Sequence, residues 1–175
     1  MASCISVLKD GVLRRRRIKW ALKKGDTILN RGTIITVNGW AAPVSITKSM
    51  DYLHSVELVP ALGANLPPDY WTVKEYRYKT ASTGFSAEFT PIIDNKTGKI
   101  DLTWKANLTA LKKFDYFKVD GETLERPVVE KLIDVRSNVK LLDGVVLPVY
   151  KDGKGYELIV QAKTVKDKNA GKQKS

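Results

Sequence analysis

From Ile100 to Leu108 apolar and polar residues alternate one for one: Ile100, Leu102, Trp104, Ala106 and Leu108 are separated by Asp101, Thr103, Lys105 and Asn107. Successive side chains of a strand point to opposite faces, so this spacing predicts a strand with one buried and one wetted face. Phe85, Ala87 and Phe89 keep the same rhythm over 85–93, and Asp94-Asn95-Lys96-Thr97-Gly98 supplies the turn that returns the chain antiparallel. A second hairpin is predicted where 145–150 and 156–165 flank Lys151-Asp152-Gly153-Lys154-Gly155. Further strands are predicted at 26–29, 33–37, 44–47, 52–59, 72–79 and 114–119, punctuated by Asp-Gly or Asn-Gly pairs at 10–11, 38–39, 120–121, 143–144 and 152–153. Short strands at such intervals predict a mainly β fold, an antiparallel sandwich or barrel.

One stretch departs from this period. Pro127, Val128, Val129, Leu132 and Ile133 recur at helical spacing, with Pro127 suited to a first turn and Asn138 to an exit, so one helix is expected near 126–137. Residues 60–71 read as a long loop, because Pro67 and Pro68 cannot donate to a ladder. Beyond Lys166 apolar residues run out, predicting a flexible, disordered basic tail over 166–175. The organisation expected is a basic segment 1–25, a single β-rich domain 26–165 and that tail.

Charge sharpens this layout. Of the formal +11, residues 1–25 carry eight basic side chains against one acidic, and residues 151–175 carry seven against three, while 26–150 balance at fifteen each. A neutral body with two cationic ends points to a polyanionic partner. A chain of 175 residues with one cysteine, Cys4, is large enough for a core and has no intramolecular disulfide framework. There is no apolar run of signal-peptide type and none near the roughly 20 residues of a membrane helix, so the expectation is an intracellular, cytoplasmic protein compatible with later assembly into a virion.

Catalytic chemistry is sparse. His54 is the only histidine, flanked by Ser55 and Glu57 in a predicted strand, and with no second histidine or nearby cysteine it gives no zinc-type site. The carboxylates Asp115, Asp120, Glu122 and Glu125 cluster near turns, where solvation or capping is the ordinary role. Gly153-Lys154-Gly155 precedes a strand pattern and not a helix, so it is a turn before it is a phosphate cradle. No enzyme, metal or cofactor is expected.

The candidate site is Val12-Leu13-Arg14-Arg15-Arg16-Arg17-Ile18-Lys19-Trp20-Ala21-Leu22-Lys23-Lys24. Four consecutive arginines put cations on both faces of a strand, or most of the way round a helix, which folding alone does not ask for. Arg14, Arg15, Arg16, Arg17, Lys19, Lys23 and Lys24 are the expected nucleic-acid contacts. Trp20 is the candidate stacking ring, weighed against a place in the core. Lys163 and Lys166, with Lys168, Lys172 and Lys174, form a second basic set, and Trp71, Lys74, Tyr76, Arg77, Tyr78 and Lys79 an aromatic-basic cluster. Pro67, Pro68 and Tyr70 fit the short Pro-Pro-x-Tyr pattern read by proline-binding grooves. Together these predict a non-enzymatic, self-associating protein that binds or packages nucleic acid, DNA and RNA left open, with a coat- or nucleocapsid-like charge layout. The alternatives are a matrix-like adaptor using the same cations on an anionic membrane with the 67–70 loop recruiting a partner, and an enzyme using His54 or carboxylates.

Overall fold

A computed structural model of the chain describes residues 15–60, 71–94, 97–119 and 122–165, and every element in them is a strand. The order is β1 (Arg15–Lys24), β2 (Thr27–Val37), β3 (Ala42–Pro60), β4 (Trp71–Ile93), β5 (Ile100–Val119), β6 (Glu122–Leu141), β7 (Val146–Lys151) and β8 (Tyr156–Thr164). Two four-stranded antiparallel sheets result, ordered β2-β1-β8-β7 and β3-β4-β5-β6, in a sandwich-like arrangement. Among the described residues no helix is long and apolar enough to cross a membrane.

The alternating segments fold as their pattern demands. Phe85, Ala87 and Phe89 on β4 and Ile100, Leu102, Trp104, Ala106 and Leu108 on β5 are all buried. At the β4–β5 turn the Asp94 amide donates to the Lys99 carbonyl (3.0 Å) and Thr97 Oγ1 donates to Asp94 Oδ2 (2.6 Å). The β7–β8 hairpin is closed by Asp152, whose Oδ1 accepts from the amides of Lys154 (2.9 Å) and Tyr156 (2.8 Å). Asn38-Gly39 and Asp143-Gly144 are not hairpin turns. They are the corners at which the chain passes from one sheet to the other.

The helix expected over 126–137 is absent, since those residues lie within β6. Two β-branched valines followed by Leu132 and Ile133 satisfy a helical stripe and a strand equally well. Pairing with β5 decides between them, as in the Arg126–Asp115 contact (3.8 Å) and the Asn138 to Thr103 hydrogen bond (3.3 Å). The short strands expected at 44–47 and 52–59 are one continuous β3, and β4 and β5 likewise absorb 72–79 and 114–119. The tail 166–175 and the stretch 61–70 lie outside the described residues.

By its contacts the chain divides into two compact units, the first of residues 1–44, 87–105 and 136–175 and the second of 45–86 and 106–135. The boundaries fall inside β3, β4, β5 and β6. In the first unit Ile18, Trp20 and Leu22 of β1 and Leu158, Val160 and Ala162 of β8 are buried on the inner face of their sheet, and Ala87, Phe89, Ile100, Leu102 and Trp104 are buried on the other. The Trp104 and Tyr150 rings meet edge-on at 6.4 Å between centroids. Gly32 of β2 makes room for this core, because a Cβ there would lie 2.9–3.0 Å from the Trp20 indole.

In the second unit burial fades. Phe85, Ala106, Leu108, Leu124 and Ile133 are buried, but Ser45 to Ser49 and Lys74 to Thr80 are exposed without interruption. Gly84 sits at φ +130, a conformation that side chains avoid, and a Cβ there would run into the Ile46 carbonyl.

Candidate functional site

The basic segment is an interior strand of the first sheet, and its alternation sorts the cations. Ile18, Trp20 and Leu22 face inward, so Arg15, Arg17, Lys19 and Lys23 face outward. Arg16 faces inward with them and is buried (3% exposed), its Nη1 donating to the Arg15 carbonyl at 2.9 Å.

Register builds the outer face row by row. Arg17 stands opposite Ile35 of β2 and Lys163 of β8, and Lys19 stands opposite Thr33 and Gln161, with Val146 of β7 next in line. Ala21 stands between Arg31 and Ile159. Directly opposed like charges destabilise an antiparallel pair. The Arg17–Lys163 row is therefore an electrostatic cost, and neither side chain has an ion pair with another described residue. At the other end Lys23 stands opposite Glu157, and Lys24 Nζ lies 5.1 Å from the Tyr156 ring centroid.

Arg15, Arg17, Lys19, Arg31 and Lys163 thus share one surface, with Lys23 and Lys151 on either side of Glu157 on the same face. Arg31 was not singled out by the sequence, because only the β1–β2 register brings it there. Trp20 is in the core (4% exposed) under Gly32 and offers no exposed ring. Arg14, Lys166, Pro67, Pro68 and Tyr70 lie outside the described residues.

The second unit carries the other site-like feature, its part of a four-stranded sheet in which β3 and β6 are the outer strands among the described residues. Ser49 and Ser82 (3.1 Å), Thr80 and Asp51 (2.6 Å), and Lys74 and Glu57 (2.9 Å) pair across β3 and β4, which places them on one polar face. Arg77 also reaches Glu57 at 2.6 Å. These contacts hold the Glu57 carboxyl below its usual range, through the Lys74 hydrogen bond and charge first and then Arg77. Asp115 is likewise lowered, chiefly by its hydrogen bond from Lys113. A general acid needs the opposite shift. His54 is half-buried and meets Tyr52 edge-on at 6.2 Å. No cluster of three or more metal-ligating side chains occurs among the described residues.

No family model and no curated protein sequence matches this chain. Its fold is similar to a solved structure described as the InvG secretin domain β-barrel from the Salmonella SPI-1 injectisome NC-base, with a TM-score of 0.50 and 8% identity. The match covers 92% of this chain, which spans 62% of the length of that one. Likeness at this identity is one of fold.

Proposed function

We propose that this protein is a structural, non-enzymatic subunit that self-associates through its second unit, copies adding edge to edge until the sheet closes as a barrel. The observation that carries this is the unbroken exposure of Lys74 to Thr80 and of Ser45 to Ser49 in strands of 23 and 19 residues. A sheet covered on one side buries every second residue, and strands of globular proteins usually run to about 10 residues. Long strands with both faces accessible and two unpaired edges are a template for pairing with further strands. Four strands cannot close alone, since even a side-chain-filled barrel takes about eight. The likeness to a domain described as a secretin β-barrel supports closure over an open stack.

Disulfide trapping tests this in a Cys4→Ser background. Cysteines at Ser55 on β3 and at Val129 on β6 lie at least three strand spacings apart, about 14 Å or more within one chain, beyond the roughly 7 Å limit of a disulfide. The expected result is a ladder of covalent multimers when both are present, with neighbouring β6 positions scanned for register, and a light-scattering mass above one chain. A monomer that never cross-links would overturn the reading.

A second activity is supported by the Arg17–Lys163 row: the outer face of the first sheet meets an anionic partner, for which nucleic acid is the expectation from sequence. An anion bound there would relieve the like-charge cost that folding leaves in place. Binding of this kind weakens with salt, and Arg17→Gln with Lys163→Gln should flatten that dependence.

A further inference from the structure

The outward cations of the first sheet form a line. Arg15, Arg17 and Lys19 take alternate positions on β1, about 6.7 Å apart, and all are exposed. Lys163 stands beside Arg17 on β8, and Arg31 lies on β2 one row beyond Lys19. None of these side chains has an ion pair with another described residue. Two rows past Lys19 an acidic group breaks the run, because Glu157 stands between Lys23 and Lys151. No aromatic side chain occupies an outward position on these four strands, since Trp20, Tyr150 and Tyr156 share the inner face with Leu22 and Leu158.

From this line we infer that the face binds the sugar–phosphate backbone of a nucleic-acid duplex without reading its bases, a deepening of the anionic-partner reading on which it rests. A small anion needs cations that converge on one point, whereas a row along a strand suits a polymer whose charges repeat. Single strands are held by stacking bases on aromatic rings as well as by cations, and this face has no ring to offer. A duplex keeps its bases stacked inside and turns its phosphates outward, so cations alone hold it. Charge densities agree. Arg15 to Lys19 covers about 13 Å, over which a duplex carries about eight phosphates, about half of them on one side. That is close to the number of cations in and beside the row. Geometry keeps these cations from base edges. The sheet is about 14 Å wide between outer strand axes and does not enter a major groove about 12 Å wide. Gln161, whose amide could read a base, is engaged, its Nε2 donating to the Gly144 carbonyl at 2.5 Å. Ile35 and Val146, exposed beside the cations, have no hydrogen-bonding group with which to read one.

Fluorescence anisotropy on the full chain tests the inference, with labelled DNA duplexes of about 20 base pairs in two unrelated sequences, and one of their single strands, as probes. The two duplexes should bind within about twofold of each other and the single strand about tenfold more weakly. The slope of log affinity against log salt for the duplex should become shallower by about 0.9 for each of Arg17→Gln and Lys163→Gln, equally for both sequences. A single strand bound as tightly as the duplex, or a preference of about tenfold between the two sequences, would overturn the duplex backbone as ligand and leave the anionic-partner reading standing. Displacement of the duplex by an acidic peptide or by phosphatidylserine vesicles at equal charge would do the same. An unchanged slope in both variants, with the duplex still bound, would put binding elsewhere on the chain and overturn both readings. If no probe is bound at low salt, both readings fall.

Discussion

The two units use the same strand grammar and are held together in different ways. In the first, Ile18, Leu22, Phe89, Leu102, Trp104, Leu158 and Val160 are essentially inaccessible, each such side chain contributing about 1.5–3 kcal/mol relative to exposure. In the second, Tyr76, Tyr78, Tyr116 and Phe117 are exposed, and the ion pairs Lys74–Glu57, Arg77–Glu57, Lys113–Asp115 and Lys131–Asp134 lie on open faces. Surface pairs contribute about 0–1 kcal/mol each. Both units expose large apolar side chains, Ile35, Trp40 and Val146 among them in the first, but the first holds most of the buried core and the second has long exposed runs on β3 and β4. That difference is the ground on which self-association is proposed for the second unit.

The comparison is put under the greatest strain by aromatic truncation. Trp104→Ala in the first unit should cost about 3–5 kcal/mol, and Tyr78→Ala in the second, at 66% exposure, should stay within about 0.5 kcal/mol of the parent in the unassembled chain. Urea unfolding of both variants at low protein concentration measures this. A loss of similar size in Tyr78→Ala would mean that its ring is already covered in the single chain.

Next in size is Gly84→Ala, expected to cost about 2–4 kcal/mol, because the new methyl group meets the Ile46 carbonyl in a backbone conformation that alanine disfavours. The second unit is not loose everywhere, and this close approach of β4 to β3 is a tight point within it. Hydrogen exchange should show the β3 and β4 amides losing protection while those of β1 and β8 keep theirs. If all four strands lose protection together, the two units unfold as one.

What was legible in the sequence follows the same division. The β4–β5 and β7–β8 hairpins could be read because strict alternation over a buried face coincided with turn aspartates, Asp94 accepting from the Thr97 hydroxyl and Asp152 from the amides of Lys154 and Tyr156. The segment 126–137 was misread because Val128, Val129, Leu132 and Ile133 carry no decisive period, and only pairing with β5 fixes them as strand. The continuous length of β3, β4 and β5 was hidden because half-exposed strands do not alternate cleanly, so 44–47 and 52–59 looked like separate elements. Alternation on β1 turned Arg15, Arg17 and Lys19 to one side, as a strand reading of that segment implied, with Arg16 opposite. Arg31 and Lys163 come from β2 and β8, the strands on either side of β1 in the sheet, a pairing that no local pattern encodes.

The smallest expected effect is that of pH, and it again separates the units. Glu57, Asp115 and Asp134 have carboxyls lowered in the folded protein by Lys74, Lys113 and Lys131 respectively. A carboxyl whose folded pKa lies below its unfolded value, about 4, binds fewer protons when folded. The stabilisation it gives is therefore complete above the unfolded value and is lost as pH falls through the folded one. All three groups are in the second unit and open to solvent, so screening keeps each contribution slight. Lowering the pH from 6 to 3 should raise amide exchange in β3 and β4 more than in β1 and β8, after correction for the intrinsic pH dependence of exchange. Glu57→Gln should already show part of that rise at pH 6, with a smaller further change on acidification. Equal acid sensitivity of β1 and β8 would mean that the first unit also depends on ion pairs, and the contrast between a packed unit and a paired one would have to be abandoned.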